Sequence, residues 1–322
     1  MSGSLSKEEL KRQLHRLGGT VGGAEPIQPL RFGIIADIHK DVMHDADYRL
    51  RCFIDHMSRE QVDFIIQLGD FCVPKKENLD FLQIWNQFQK PGYHVLGNHD
   101  TDGGYTRQQT VDYWGMDSRF YFFDHSGIHF IVLDGNDIPA HHQSGYPRYI
   151  ADDQVEWLRN DLAQTETPTI VFVHQSIESE EDGGIENGAE IRNLLEETNR
   201  QAGFRQVMAC FSGHHHRDYA RWINDILYPQ INSVSYYWVG GDYLEMRYSQ
   251  EIDDRYPWIK YTVPYQNPIY GVVTIDLQEG TIALNGRTSQ FVGSAPWELG
   301  KTREYWNDQT LTASVSNWKV LL

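Results

Sequence analysis

Cysteine is scarce in this chain. Cys52, Cys72 and Cys210 are the only three in 322 residues, too few and too scattered for a disulfide framework or a thiolate zinc module, so they read as small core fillers. Positive charge is also in short supply, with 28 Lys and Arg against 45 Asp and Glu and a formal net charge of −17. Such a field repels polyanions at long range, so polymeric nucleic acid is not an expected partner and any phosphate must be attracted locally. No apolar run approaches the length of a membrane span, and the opening MSGSLSKEEL lacks the uninterrupted apolar stretch of a signal peptide. A cytoplasmic location is the default expectation. Export is the alternative, because a short leader such as MSGS can stand where an export signal was. Internal repeats and low-complexity segments are absent too.

What is present is the composition of a folded globular chain, 40% hydrophobic and 23% charged. Leu10, Leu14 and Leu17 fall at helical spacing before Gly18-Gly19 and Gly22-Gly23. Residues 1–29 are therefore expected as a peripheral helix and glycine-rich linker, 30–293 as the body that carries the chemistry, and 294–322 as an irregular extension packing back on it. Within the body, short apolar runs stop abruptly at polar residues, as buried strands feeding loops do. Phe32–Ile35 leads to Asp37, Val62–Leu68 to Gly69-Asp70, and Tyr93–Leu96 to Gly97-Asn98-His99-Asp100. Ile170–Val173 leads to His174, and Val207–Phe211 to Gly213-His214-His215-His216. Amphipathic stripes lie between them, at Leu50/Phe53/Ile54/Met57, Leu82/Trp85/Phe88, Val155/Leu158/Leu162 and Ile191/Leu194/Leu195. Alternating strand and helix predicts α/β layers with parallel pairs. Phe120–Phe123 with Ile128–Leu133, and Tyr270–Ile275 with Thr281–Leu284, read as antiparallel hairpins, so the sheets are expected to be mixed.

Loops converge on ligands at the carboxyl ends of strands in open α/β sheets, so five polar endings can meet in one place. The inventory is Asp37, His39, Asp70, Asn98, His99, Asp100, His174, His214 and His216. Carboxylate and amide oxygens mixed with imidazole, with no sulfur, suit Mn, Fe or Zn better than a thiolate zinc site or an all-oxygen calcium site. Singly, each block is an ordinary loop pattern; the ordered set is not.

That set resembles the calcineurin-like metallophosphoesterase family, whose pattern runs D-x-H, GD, GNH[DE], a later His and GHxH. The five blocks occur in order between residues 31 and 216. The resemblance implies an α/β fold, a four-layer α/β/β/α sandwich with two mixed β-sheets, and two divalent or trivalent transition-metal ions at the sheets' edge. Carried over residue by residue, Asp37, His39 and His216 would hold the first ion, Asn98, His174 and His214 the second, and Asp70 would bridge them. A single carboxylate can span ions roughly 3.5–4 Å apart, and a water shared by two cations loses a proton near neutral pH. His99 would be the general acid for the leaving oxygen, with Asp100 holding its imidazolium. In an extended His214-x-His216 segment the outer two rings share a side, which leaves His215 as the one that is not a ligand.

The implied activity is a dinuclear metal-dependent phosphoester hydrolase acting on a small phosphomonoester or phosphodiester. The alternative is a catalytically silent scaffold that serves as a binding module, although no ligand position is missing. Two departures stand out. No tyrosine follows Gly69-Asp70 as it does in purple acid phosphatases, and Gln175-Ser176 follows His174 where many members have a second histidine. The aromatic-rich stretch Tyr219–Tyr270 reads as sheet and loop packing, with substrate stacking as the alternative. Arg107, Arg148 and Arg217 could clamp phosphate oxygens, and His141-His142 sits in a loop that could cover the site.

Overall fold

Strand β1 (Leu30–Ile35) alternates in the manner of a strand buried on both faces. Leu30, Phe32 and Ile34 enter one apolar cluster, and Ile35 enters another on the opposite side. The computed structural model describes residues 28–178, 183–300, 303 and 306–322. The helix expected between Ser6 and Leu17 lies outside them. One six-stranded sheet has the order β14 (Trp318–Leu321), β13 (Thr281–Gly286), β12 (Gly271–Asp276), β1, β2 (Phe64–Gln67), β3 (Gly92–His94). The other has the order β4 (Tyr121–His125), β5 (Ile128–Val132), β6 (Thr169–Phe172), β7 (Val207–Phe211), β9 (Ile226–Gln230), β8 (Tyr219–Ile223). Strands β1–β3 run parallel, as do β5, β6, β7 and β9, while β4, β8, β12, β13 and β14 pair antiparallel with their neighbours. Both sheets are mixed, as expected.

The sheets face each other across a core centred on Phe32. Its ring stacks on Phe64 at 4.8 Å and meets Phe130, Phe172 and Phe211 of the second sheet edge-on. Helices α1 (Ala46–Glu60) and α2 (Leu79–Trp85) cover the outer face of the first sheet, where Phe53, Met57 and Phe81 pack with Ile35 and Ile65. On the second sheet the covering helices are α4 (Asp152–Gln164) and α5 (Gly188–Ala202), with Leu158 and Leu195 against Val171 and Cys210. The result is the four-layer α/β/β/α sandwich. Two short helices, α3 (Arg107–Trp114) and α6 (Gln250–Arg255), have no counterpart in the apolar pattern. The extension expected to be irregular includes a strand, because β14 adds to the sheet edge through β13. No helix among the described residues is long and apolar enough to cross a membrane.

A third, two-stranded sheet of β10 (Tyr236–Trp238) and β11 (Thr262–Pro264) follows a segment that clamps the loop after β1. Ser233 Oγ donates to Asp37 O at 2.7 Å, Val234 N to Ala36 O at 2.9 Å, and Ser235 Oγ to Ile38 O at 2.8 Å. Fully buried Arg49 of α1 holds this clamp, donating to Asp45 Oδ1 (2.7 Å), Val234 O (3.3 Å) and Tyr265 O (2.6 Å). Replacing Arg49 by Met would strand the Asp45 carboxylate and the buried Tyr265 carbonyl, while Val234 O keeps the Ile269 N–H at 3.3 Å. Urea unfolding of Arg49→Met should show a loss of about 3 kcal/mol. A loss under about 1 kcal/mol would mean that these acceptors are satisfied without the guanidinium.

Candidate metal centre

Parallel strands that are neighbours release their chains at the same edge. Beyond β1, β2 and β3 come Asp37, Asp70 and Asn98; beyond β6 and β7 come His174 and His214. The loops are stitched together by their backbones. Asp37 N donates to Gly69 O at 3.0 Å, His39 N to Asp70 O at 2.9 Å, and Gly213 N to His174 O at 2.9 Å. Of the nine described non-glycine residues with positive φ, five are Asp37, His39, Asp70, His214 and His216. Such conformations cost on the order of 1–3 kcal/mol each and persist where the surroundings over-determine them.

The side chains form two groups, Asp37/His39/His216 and Asp70/His174/His214, whose ligand atoms lie within 4.8 Å of one another in each. His216 Nδ1 donates to Tyr236 O and His174 Nδ1 to Leu68 O, both at 2.7 Å. In the neutral ring that leaves each Nε2 as a bare lone pair. His216 Nε2 sits 3.2 Å from His39 Nε2 and 3.3 Å from Asp37 Oδ1. His174 Nε2 sits 3.1 Å from Asn98 Oδ1, 3.3 Å from His214 Nδ1 and 3.3 Å from Asp70 Oδ2. Acceptors facing acceptors at these distances repel unless positive charge lies among them. The donor chemistry, oxygen and imidazole without thiolate, fits a transition-metal ion in each group.

Between the groups, Asp70 Oδ2 lies 3.5 Å from His39 Nε2 and 3.3 Å from His174 Nε2. Its other oxygen accepts the His99 amide at 2.8 Å. Burial would raise the Asp70 pKa, but His174 and His99 outweigh it and hold the carboxyl well below its usual range. His174 is lowered by burial and lifted further by Asp70, to about 10. His39 and His214 go the other way: burial, reinforced by neighbouring imidazoles, drives both well below the ordinary value.

The sequence profile of the family described as Calcineurin-like phosphoesterase matches residues 30–218, more than half of the chain. The chain belongs to that family. Among solved structures it is similar to a dimetal phosphatase from Danio rerio, at 12% identity and a TM-score of 0.57, over 83% of this chain and 99% of that one. It is also similar to GAP50, the anchor in the inner membrane complex of Plasmodium, at 17% identity and a TM-score of 0.50, over 90% of each chain. At such identities the likeness is one of fold. No curated protein sequence matches the chain. The family is metal-dependent, and the two donor groups are this chain's candidate positions.

Two sequence expectations need correction. Asp100 does not hold His99: its buried carboxylate accepts the backbone N–H groups of Gly97 (2.7 Å), Asp70 (2.9 Å) and Phe71 (2.7 Å), which ties the loops after β2 and β3 together. The carboxylate at His99 Nδ1 is Asp102 Oδ2, at 2.7 Å. Asn98–Thr101 is a single 3-10 turn, and that turn returns residue 102 to residue 99. Nor is the segment around His214 extended. His214 and His216 both have left-handed backbones and join different groups, and His215 meets Ser176 Oγ at 2.9 Å.

Other candidates have protein partners of their own. Arg107 is bound to Asp134 and Asp137 at 2.6 and 2.7 Å, and Arg148 donates to Gly184 O. Gln175 is fully buried and donates to Asn136 at 2.8 Å. Within the aromatic stretch, Tyr236 and Tyr237 are core residues while Trp238 and Trp258 are exposed. Tyr236 also stacks on His39 at 5.0 Å, a contact that no sequence spacing signals.

The glycines that precede the polar residues have a steric reason. A Cβ on Gly97 would fall 2.3 Å from both Asp70 N and Asp70 Oδ1, and one on Gly69, at φ +97°, would fall 2.4 Å from His174 Nδ1. Gly97→Ala must therefore displace Asp70. Its affinity for Mn or Zn should fall at least about tenfold, the scale on which disturbed supporting contacts weaken metal sites. Unchanged uptake in a metal-binding titration would show that the loops have room for a methyl group.

Proposed function

We propose that this chain hydrolyses a small phosphomonoester or phosphodiester at a pair of transition-metal ions. In this reading Asp37, His39 and His216 hold one ion, Asn98, His174 and His214 the other, and Asp70 both. The observation that carries it is the placement of Asp70 Oδ2, within 3.5 Å of an imidazole nitrogen from each group. Bound there, the ions would supply Lewis acidity and an activated water. The chain's own residues do the rest. Charge grows on the leaving oxygen as the phosphorus–oxygen bond breaks, and a positioned acid neutralises it.

His99 is that acid. Its ring lies 5.2 Å from the His39 ring, and its Nδ1 is engaged by Asp102, which leaves Nε2 to carry the transferable proton. Burial lowers its pKa, but Asp70 and the Asp102 hydrogen bond outweigh burial and raise it to about 9. Ions bound at Asp70 would weaken the first of these attractions, so Asp102 becomes the main support. The acidic surface favours a small substrate over a polymer. Every ligand position is filled, which speaks against the silent-scaffold reading.

Metal analysis combined with a panel of mono- and diesters separates the readings. Asp70→Asn should lose bound metal and turnover together. His99→Ala should retain metal while kcat falls by about 10²–10⁴. Undiminished turnover in His99→Ala removes the acid assignment, and full metal loading with no turnover on any ester favours the scaffold.

A second expectation concerns protons. His174 must be neutral to bind a cation, yet its pKa is raised to about 10. At pH 7 an ion entering the His174 group should therefore expel a proton, and affinity there should climb from pH 6 to pH 9. Calorimetric titrations at pH 7 in buffers of different ionisation enthalpy measure this directly. Equal heats in all buffers would contradict it.

A further inference from the structure

The loop between β5 and α4 is pinned at its base and reaches the first sheet at its tip. Tyr149 N donates to Gly135 O at 2.9 Å and Asp137 N to Tyr149 O at 3.0 Å, which closes the stem. His141 Nε2 meets Glu186 Oε2 at 2.8 Å, and Arg148 donates to Gly184 O at 2.6 Å, so the loop is also latched to the segment before α5. At the tip, Tyr146 packs its ring 4.6 Å from that of His99. Its hydroxyl lies 2.8 Å from Asp102 Oδ1 and 3.1 Å from His99 Nδ1. The other Asp102 oxygen, Oδ2, takes His99 Nδ1 at 2.7 Å.

Asp102 and His99 are both partly open to solvent, with side chains 44% and 39% exposed. A carboxylate on a surface turn has free rotamers, and holding it costs conformational entropy. A phenol hydrogen bond on one oxygen and the imidazole on the other fix its plane. The Tyr146 ring blocks one side of the imidazole, and a tyrosine anchored by a latched loop has few rotamers of its own to lose. We infer that Tyr146 is a positioning residue for proton transfer: it donates to Asp102 Oδ1, and through Asp102 it keeps His99 Nδ1 engaged and Nε2 available to the leaving oxygen. The inference rests on the reading of His99 as the acid.

The test compares phenyl phosphate, whose leaving oxygen needs a proton, with p-nitrophenyl phosphate, whose leaving group departs largely as the anion. Tyr146→Phe keeps the ring and removes the hydroxyl. Its kcat on the phenyl ester should fall by about tenfold, a fraction of what a general acid supplies, with a loss within about twofold on the nitrophenyl ester and little change in KM on either. In His99→Ala the same split should be larger, and adding Tyr146→Phe to it should bring no further loss. A readout independent of turnover is the His99 Hδ1 proton resonance in the diamagnetic zinc-loaded protein. It should exchange with water faster in Tyr146→Phe and disappear in Asp102→Asn. If His99→Ala shows the split but Tyr146→Phe matches wild type, or slows both esters equally, the role given to Tyr146 is wrong and the acid stands. If His99→Ala slows both esters equally, the acid reading falls, and the role of Tyr146 falls with it.

Discussion

Electron-rich atoms forced together at one edge of the molecule are the constraint on which the rest of the structure depends. Asp37, His39, Asp70, Asn98, His174, His214 and His216 bring nitrogen and oxygen atoms to within 3.1–3.5 Å of one another, at positions that are buried except for half-buried His214. Left uncompensated, such a cluster would spread apart. It is held by the two sheets, whose facing aromatic core fixes where β1, β2, β3, β6 and β7 end. The stable layers therefore carry the strain, and the left-handed backbones at five of the polar residues are the local form it takes. A proton on His174 offsets part of this repulsion, and a cation bound among these residues as proposed would take over that role.

The supporting contacts are as specific as the cluster itself. Two imidazoles are oriented by backbone carbonyls, Leu68 O and Tyr236 O, which sets the tautomer that points Nε2 at its neighbours. Asp100 serves the backbone rather than the chemistry, gathering three amides from two loops. Ser233, Val234 and Ser235 clamp the first loop, and Arg49 clamps them in turn. Displacement at any point of this chain of contacts reaches the cluster within one or two bonds.

Much of this was legible in the amino-acid order, because buried strands leave continuous apolar runs and the polar residues that end them are conspicuous. The α/β alternation, the mixed sheets and the four helical stripes follow from that periodicity, and the four-layer stacking from the family resemblance. Helix α3 escaped it because only Thr110, Val111 and Trp114 are buried, too few for a stripe, and β14 escaped it because an edge strand with half-buried side chains looks like a tail. That these polar residues would gather at one edge was legible, and the contacts made by two of them were not. Nothing in Asn98-His99-Asp100 tells that the turn will send Asp100 inward and bring Asp102 back to His99. Likewise the sign of φ at His214 and His216 is set by neighbouring loops and not by histidine itself, so the extended segment expected there is not what forms. Tyr146 lies 47 positions from His99 in a loop without periodicity, and only tertiary structure brings them together.

A net negative charge and the proposed phosphoester site are compatible because they would act over different distances. Charges scattered over the molecule are screened within about 8 Å at physiological ionic strength, whereas cations held among buried ligands act on a substrate oxygen in direct contact. A small ester presents one phosphate to that local attraction and little else to the distant repulsion. A nucleic acid lies across the surface with a charge at every step and meets the repulsion along its whole length. On the proposed function, the net charge of −17 would disfavour long polyanions more than a short ester that reaches the edge of the sheets.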